Sequence, residues 1–212
     1  MGSEARIRIK WNELYQYMAD IRGSEFHKEV LMKADGDTKG CMSDDDSVFL
    51  YALVRYFKPR KCLETGSRRG KASSFILKGL EDNGSGRLIG IERDTSVTIG
   101  ELIPKELIHR FDPMVLPIEK FVKSNEFKNL TLDLFLHDST HRYQHQLWEF
   151  NTFWKVLSQG GVLCSHDVDY NDSFLDFIKL KYVVDPKGLT DFAACGFGVW
   201  GKMSNFGFVT KR

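Results

Sequence analysis

Short apolar runs alternate with helix-like segments along most of this 212-residue chain, and this alternation restricts the fold more than any other feature. Each run ends in polar or turn residues and is followed by apolar residues at helical spacing. Five such strand–helix units predict a parallel sheet with helices on both faces. The predicted strands are KCLETG (61–66), RLIGIE (87–92), MVLPI (114–118), LDLFLHD (132–138) and GVLCSHD (161–167).

The helix-like segments between these runs lie at 72–82, 95–107, 118–127 and 143–157. Near the end of the chain, GFGVWGKM (196–203) and FGFVTK (206–211) are joined through Ser204-Asn205 and predict an antiparallel hairpin. The predicted fold class is therefore α/β, with a doubly wound, Rossmann-like and mostly parallel sheet that is closed by a C-terminal hairpin.

The N-terminal part of the chain has a different pattern. Residues 8–34 predict two short helices with an apolar face, and Ser43 predicts the start of a further helix over 44–57. We therefore expect a helical extension or lid at 1–42 and one domain at 43–212. Aromatic residues on the N-terminal helices suggest a homodimer.

The composition is that of an ordinary globular protein, with 42% hydrophobic and 28% charged residues. A formal net charge of +1 gives no reason to expect nucleic acid or an anionic membrane as a partner. No apolar stretch approaches the roughly 20 residues of a membrane helix, and MGSEARIRIKW lacks the apolar core of a signal peptide. We expect a cytoplasmic protein. The four cysteines form no CxxC pair, which argues against a structural zinc site.

Charged and polar residues gather where the predicted strands end, which is where ligands bind in sheets of this kind. Two of the strands end in the same His-Asp pair, so they are candidates for two walls of one site. The residues at the strand ends are Glu64 to Gly70, Glu92, Pro117 to Glu119, His137, Asp138, His141, His166 and Asp167.

The turn after the first strand, LETGSRRGK, places Gly66 and Gly70 where the backbone can approach a ligand closely. Its spacing is E-x-G-x-x-x-G, which differs from the G-x-G-x-x-G of dinucleotide-binding folds. A phosphate-binding loop is excluded because Ala72, and not Ser or Thr, follows Lys71. Glu92 closes the second strand, where a carboxylate can accept hydrogen bonds from a ribose diol.

A true G-x-G-x-x-G occurs at Gly196, Gly198 and Gly201, but only 11 residues follow it. The acidic partner expected about 20 residues further on cannot exist, which argues against NAD binding there.

Residues 43 to 211 resemble a class I S-adenosylmethionine-dependent methyltransferase. LETGSRRGKAS resembles the first motif of that family, LIGIERD its ribose-binding strand and SQGGVLCSHD its last parallel strand. LDLFLHDSTHRY is similar to the D-x-x-H-x-Y block of small-molecule O-methyltransferases, including relatives that act in macrolide-sugar and cephalosporin biosynthesis. A more distant similarity is to catechol O-methyltransferase.

The resemblance implies S-adenosylmethionine as the cofactor and assigns roles to residues at matching positions. Glu64, Gly66 and Gly70 would hold the methionine part, with Thr65 and Ser67 between them. Glu92 would hold the ribose hydroxyls, while Ile118 and Glu119 would flank the adenine. Asp138 would lie at the junction of the cofactor and the acceptor.

The resemblance also implies a metal and a base. Asp138 and Asp167 would be ligands of Mg²⁺ (or Mn²⁺ or Ca²⁺), and His141 would be the general base that acts with Asp138. Sugar-modifying relatives have an acidic residue before the second Asp, and the catechol type has Asn after it. Here the neighbours are His166 and Val168, so His166 is the candidate third ligand.

We therefore expect an O-methyltransferase that acts on a hydroxyl of a small molecule of the sugar or phenol type. A non-catalytic module that binds S-adenosylmethionine or another nucleotide is an alternative, and an NAD-dependent oxidoreductase is a further one. His141 and His145 are four residues apart and could form a zinc pair, but no third ligand is evident. His137 and His145 are interpreted as structural residues.

Overall fold

The computed structural model describes residues 9–34, 41–184, 189–194 and 205–211. Within them, seven strands form one sheet in the order β3-β2-β1-β4-β5-β7-β6. The first five strands are parallel, whereas β7 is antiparallel to both β5 and β6. The strands are β1 (Lys61–Thr65), β2 (Arg87–Glu92), β3 (Phe111–Val115), β4 (Leu132–His137), β5 (Leu157–Ser165), β6 (Leu189–Ala194) and β7 (Gly207–Lys211).

Helices connect the strands and cover both faces of the sheet. They are α1 (Trp11–Ile21), α2 (Glu25–Ala34), α3 (Asp44–Phe57), α4 (Lys71–Asp82), α5 (Ile118–Val122), α6 (Asn125–Lys128), α7 (Tyr143–Val156) and α8 (Ser173–Val184). The predicted α/β fold class is confirmed, as is the cap of α3, where Ser43 Oγ accepts a hydrogen bond from the backbone N–H of Asp46. In the described part of the chain, no helix has both the length and the apolar character needed to cross a membrane.

The predicted helix over 95–107 is wrong. Only a 3-10 helix, Lys105–Arg110, forms in this region. Gly100 takes a left-handed conformation with φ of 76°, and Pro104 immediately precedes the short helix. Two backbone hydrogen bonds connect the loop to the turn after β1 instead. The N–H of Gly100 donates to the carbonyl of Arg68, and the N–H of Leu102 donates to the carbonyl of Arg69.

The strands also differ from the prediction, at β3 and near the chain end. Strand β3 begins at Phe111 and ends at Val115, because Pro117 precedes the start of α5. The predicted antiparallel pairing near the chain end is confirmed, but the partner of β7 in this pair is β6 (Leu189–Ala194). The predicted partner at 196–203 lies outside the described residues, and so does the glycine motif within it.

In the central strands, alternate residues contribute to two separate hydrophobic clusters, as the period of a buried strand requires. In β4, Leu134 and Leu136 pack with α1, α3 and α4. Phe135 points to the other face and stacks on Phe153 of α7, with the ring centroids 4.1 Å apart. Because α1 shares the first cluster with α3, the proposed division of the chain at residue 42 is not a division of its core.

Asp133 interrupts the apolar run of β4 for a structural reason. Its Oδ2 accepts hydrogen bonds from the backbone N–H groups of Arg60 and Lys61, and its Oδ1 accepts one from Ser158 Oγ. The carboxylate therefore joins the starts of β1, β4 and β5 at the edge of the sheet opposite to the one that holds the His-Asp pairs.

We predict that Asp133→Asn lowers the free energy of unfolding by about 1–3 kcal/mol, because hydrogen bonds to a charged acceptor are worth more than those to an amide. Urea titration followed by circular dichroism measures the change. Asp20→Asn is the control: Asp20 accepts one exposed hydrogen bond from Gln16, so its loss should cost less than about 0.5 kcal/mol. Equal stabilities of the two variants would contradict the assignment.

Candidate active site

The two strands that end in His-Asp lie side by side in the sheet. In the parallel register, Thr65 of β1 is opposite His137 of β4, and His137 is opposite Ser165 of β5. The next residue of each chain segment therefore emerges at the same edge, where Gly66, Asp138 and His166 meet. The structure brings the two motifs together as the walls of one crevice.

Gly66 packs directly against the backbone of Asp138 in this crevice. It adopts φ of 82°, and a Cβ atom added there would overlap with the backbone carbonyl of Asp138. The backbone N–H of Asp138 donates to the carbonyl of Thr65 at 3.0 Å, and that of Gly66 donates to the carbonyl of Ile91 at 2.8 Å. Only glycine satisfies both the left-handed backbone and the contact.

A cavity of about 310 Å³ lies beside this contact, near the lower end of the range of about 300–1,000 Å³ for ligand pockets. The predicted cofactor residues that line it come from four segments of the chain: Thr65, Gly66, Glu92, Ile118, Glu119 and Asp138. The other predicted cofactor residues, Glu64, Ser67 and Gly70, line a smaller adjoining pocket.

Glu64 is a buried carboxylate, 1% exposed, at the end of β1. The hydroxyl groups of Ser67 and Ser73 both donate to its Oε2 atom. Burial raises the pKa of Glu64 to about 7, although the two serine hydrogen bonds favour its charged form. A carboxylate poised in this way is suited to a cationic ligand group that stabilises its charge.

Glu92 is the corresponding acid at the end of β2, and only 6% of it is exposed. Its Oε2 accepts a hydrogen bond from the backbone N–H of Arg68 at 3.0 Å, and its Oε1 accepts one from that of Asp94 at 2.8 Å. These bonds fix the orientation of the carboxylate, which retains acceptor capacity toward the 310 Å³ cavity.

A second cavity, of about 440 Å³, lies on the other side of Asp138. It shares Arg68, Asp138 and Ser139 with the first cavity and is also lined by Cys41, His141, His166 and Asp167. Asp138 of the first His-Asp pair and both residues of the second pair therefore line this cavity.

His166 lies among three carboxylates. Its Nδ1 is 3.1 Å from Asp138 Oδ1 and 3.4 Å from Asp167 Oδ2, and its Nε2 is 3.5 Å from Asp46 Oδ2. Burial opposes the charged form, but the hydrogen bonds to Asp138 and Asp46 outweigh it and raise the pKa of His166 to about 10. The residue is therefore an imidazolium at neutral pH and neutralises part of the acidic cluster.

One set of donors in this cluster could hold a divalent ion. Asp138, His141 and Asp167 each offer a ligand atom, and these atoms lie within 4.8 Å of one another. His166, the predicted third ligand, hydrogen-bonds to Asp138. Carboxylate oxygens are ligands that Mg²⁺, Mn²⁺ and Ca²⁺ favour, and an imidazole nitrogen is more typical of transition metals.

His141 pairs with Asp167 across the mouth of the second cavity. Its Nε2 is 3.0 Å from Asp167 Oδ2, whereas its Nδ1 is buried and has no hydrogen-bond partner among the described residues. Burial lowers the pKa of His141 despite the nearby carboxylates of Asp167 and Asp138. Asp167 has φ of 52°, in the left-handed region that few non-glycine residues adopt, although aspartate does so more often than most.

Sequence reasoning missed two residues that support the site. Asp46 lies in the first turn of α3, and its carboxylate reaches His166. Glu149 lies inside α7, and its carboxylate binds His137 and His145. The spacing of four residues between His145 and Glu149 was the one signal in the sequence that could have indicated this pair.

The fold and the site together define a class I, Rossmann-like methyltransferase architecture, with acids at the ends of β1 and β2 and an acidic cluster after β4 and β5. The sequence profile of the family described as "Methyltransferase domain" matches residues 63–168, half of the chain. The chain belongs to this methyltransferase family.

Solved structures support the fold. An O-methyltransferase from Bacillus cereus, described in complex with S-adenosylhomocysteine, is 20% identical, with a TM-score of 0.64 over 92% of this chain and 96% of that one. The O-methyltransferase TomG from Streptomyces achromogenes, involved in tomaymycin synthesis and described with S-adenosylmethionine, is 15% identical, with a TM-score of 0.66 over 99% of both chains. A putative caffeoyl-CoA O-methyltransferase from Staphylococcus aureus is 14% identical, with a TM-score of 0.61 over 95% of this chain and 99% of that one. A sequence search among curated proteins finds no match.

Proposed function

We propose that this protein is an S-adenosylmethionine-dependent O-methyltransferase that acts on a hydroxyl group of a small molecule. The observation that carries the proposal is the pair of adjoining cavities that share Asp138, one lined by Glu92 and the other by His141, His166 and Asp167. Similar proteins described with S-adenosylmethionine or S-adenosylhomocysteine support the choice of cofactor.

The residues around the first cavity fit this cofactor. The Glu64 carboxylate would bind the cationic amino group, since that contact would offset the burial that raises the pKa of Glu64. Glu92 would accept hydrogen bonds from the ribose hydroxyls, and Ile118 and Glu119 would flank the adenine. When bound, the cofactor supplies an electrophilic methyl group.

The chain itself would orient the acceptor and take its proton. We infer that the acceptor hydroxyl takes the place of Asp167 Oδ2, which lies 3.0 Å from His141 Nε2, and gives its proton to that nitrogen while the ring holds its own proton on Nδ1. Asp167 and Asp138 would then stabilise the imidazolium. The burial that lowers the pKa of His141 keeps it neutral, and so able to accept a proton, at neutral pH.

The same cluster would hold a divalent ion through Asp138, His141 and Asp167. Such an ion lowers the pKa of a bound hydroxyl and fixes its direction. His141 cannot bind an ion and accept a proton at the same nitrogen, so the two roles are alternatives that experiment must separate.

Two further proposals concern the whole protein. Trp11 and Tyr15 of α1 are 40% and 44% exposed, and Met32 of α2 is 77% exposed, which supports a homodimer through the N-terminal helices. We also propose a cytoplasmic location, and a lid or extension role for residues 1–42.

We predict that Glu92→Ala weakens S-adenosylmethionine binding by about 2–3 kcal/mol, because hydrogen bonds to a charged group contribute about 1.5–3 kcal/mol each. Isothermal calorimetry measures the affinity, and circular dichroism verifies the fold. Glu101→Ala is the control, since Glu101 pairs with Arg69 at the surface. An unchanged affinity in Glu92→Ala would contradict the ribose assignment, and binding of NAD alone by the wild type would contradict the methyltransferase.

Chelation should abolish methyl transfer if an ion occupies the cluster, and Mg²⁺, Mn²⁺ or Ca²⁺ should restore it. Binding of S-adenosylhomocysteine should survive chelation, because the first cavity does not include Asp167 or His141. Mass detection of a gain of one methyl group on a panel of sugars and phenols provides the assay. Full activity in the presence of chelator would remove the metal from the mechanism.

His141→Ala should lower kcat by on the order of 10²–10⁴ and leave S-adenosylmethionine affinity unchanged if His141 is the base. The loss should shrink for acceptors with more acidic hydroxyl groups, because these need less help to lose a proton. His109→Ala, on the exposed 3-10 helix, is the control. An equal loss for every acceptor would assign His141 a packing or metal-binding role.

A further inference from the structure

Glu149 of α7 is a fully buried carboxylate that accepts hydrogen bonds from four side chains. Its Oε2 accepts one from Thr65 Oγ1 at 2.7 Å and one from His137 Nδ1 at 2.8 Å. Its Oε1 accepts one from Ser139 Oγ at 2.7 Å and one from His145 Nε2 at 2.7 Å. The four donors belong to the end of β1, the end of β4, the β4–α7 loop and the first turn of α7.

Three of these donors line the 310 Å³ cavity: Thr65, Ser139 and His145. They form parts of its wall that are far apart in sequence and come from different elements. A single carboxylate behind the wall therefore fixes the relative positions of all three. Its removal would release the wall without removing any group that faces the cavity, because Glu149 does not line it.

The charge of Glu149 is maintained by its partners. Burial alone would raise the pKa of this carboxyl, but the hydrogen bonds from His137, His145 and Thr65 hold it well below its ordinary value. A buried charge of this kind is costly unless its hydrogen bonds are complete. Apolar residues in place of Glu149 and its four partners would fill the same space at no greater cost, so the network indicates a role beyond packing.

His145 is the donor whose position matters most for a ligand. With Nε2 bound to Glu149, its Nδ1 lies 4.0 Å from Glu119 Oε1, at the end of the cavity that Ile118 also lines. The hydrogen bond to Glu149 raises the pKa of His145, which favours a proton on both ring nitrogens. The ring can then present an N–H group toward the same end of the cavity.

We propose that Glu149 is a positioning residue that holds His145 as a hydrogen-bond donor at the adenine end of the cofactor cavity. This inference rests on the proposed function, because it takes the ligand of that cavity to be the adenosyl group of S-adenosylmethionine. It assigns His145, interpreted from the sequence as structural, a place in cofactor recognition.

A double-mutant cycle tests the proposal with S-adenosylhomocysteine as the probe and calorimetry as the measurement. Glu149→Gln keeps the volume of the side chain but turns an NH₂ group toward groups that donate. Glu149→Gln and His145→Ala should each raise Kd about tenfold, and the double variant should be no weaker than the weaker single variant. In steady state, Glu149→Gln should raise KM for S-adenosylmethionine about tenfold and change kcat less than about threefold.

Asp133→Asn is the matched control, because it alters a multiply hydrogen-bonded carboxylate at the opposite edge of the same sheet. It should lower the melting temperature and leave Kd unchanged. A Glu149→Gln variant that melts earlier but binds S-adenosylhomocysteine like the wild type would overturn the proposal, as would additive effects in the cycle.

Failure of the wild type to bind S-adenosylhomocysteine would instead reject the proposed function. If Glu149→Gln does not fold, His137→Phe replaces it, since it removes one bond to the carboxylate and His137 does not line the cavity. It should then raise Kd about threefold. Wild-type affinity in this variant would overturn the positioning role.

Discussion

The parallel pairing of β1 with β4, and of β4 with β5, is the constraint on which the rest of the site depends. It places Thr65, His137 and Ser165 in one row across the sheet. Gly66, Asp138, His141, His166 and Asp167 lie just beyond the points where the chain leaves that row. Helices and hydrophobic clusters pack on both faces of the sheet and keep the row in place. Asp133 connects the starts of β1, β4 and β5 at the opposite ends of these strands.

The strands, the capped start of α3 and the crevice edge could be predicted from the sequence because they depend on local patterns. The hydrophobic period, the positions of glycines and the polar residues at strand ends can each be recognised from a few neighbouring residues. The region 95–107 was mispredicted because its helical pattern is overridden by backbone hydrogen bonds to the turn at Arg68 and Arg69, which no local pattern records.

The supporting carboxylates could not be predicted for a related reason. Glu149 meets Thr65 across 84 positions of the chain, and Asp46 meets His166 across an even longer separation. A buried acid inside an amphipathic helix has the same local appearance as an exposed one, and its partners appear only when the fold is complete. The residues that line the crevice could therefore be predicted from the sequence. Glu149 and Asp46, which support those residues from behind, could not.

The contact between Gly66 and the Asp138 carbonyl has a geometric consequence for the two cavities. Arg68, Asp138 and Ser139 line both cavities, so the two cavities adjoin at these residues. A ligand in one cavity and a ligand in the other would therefore both lie against Asp138. The glycine at position 66 thus lets the turn after β1 pack directly against the backbone of a residue that both cavities share.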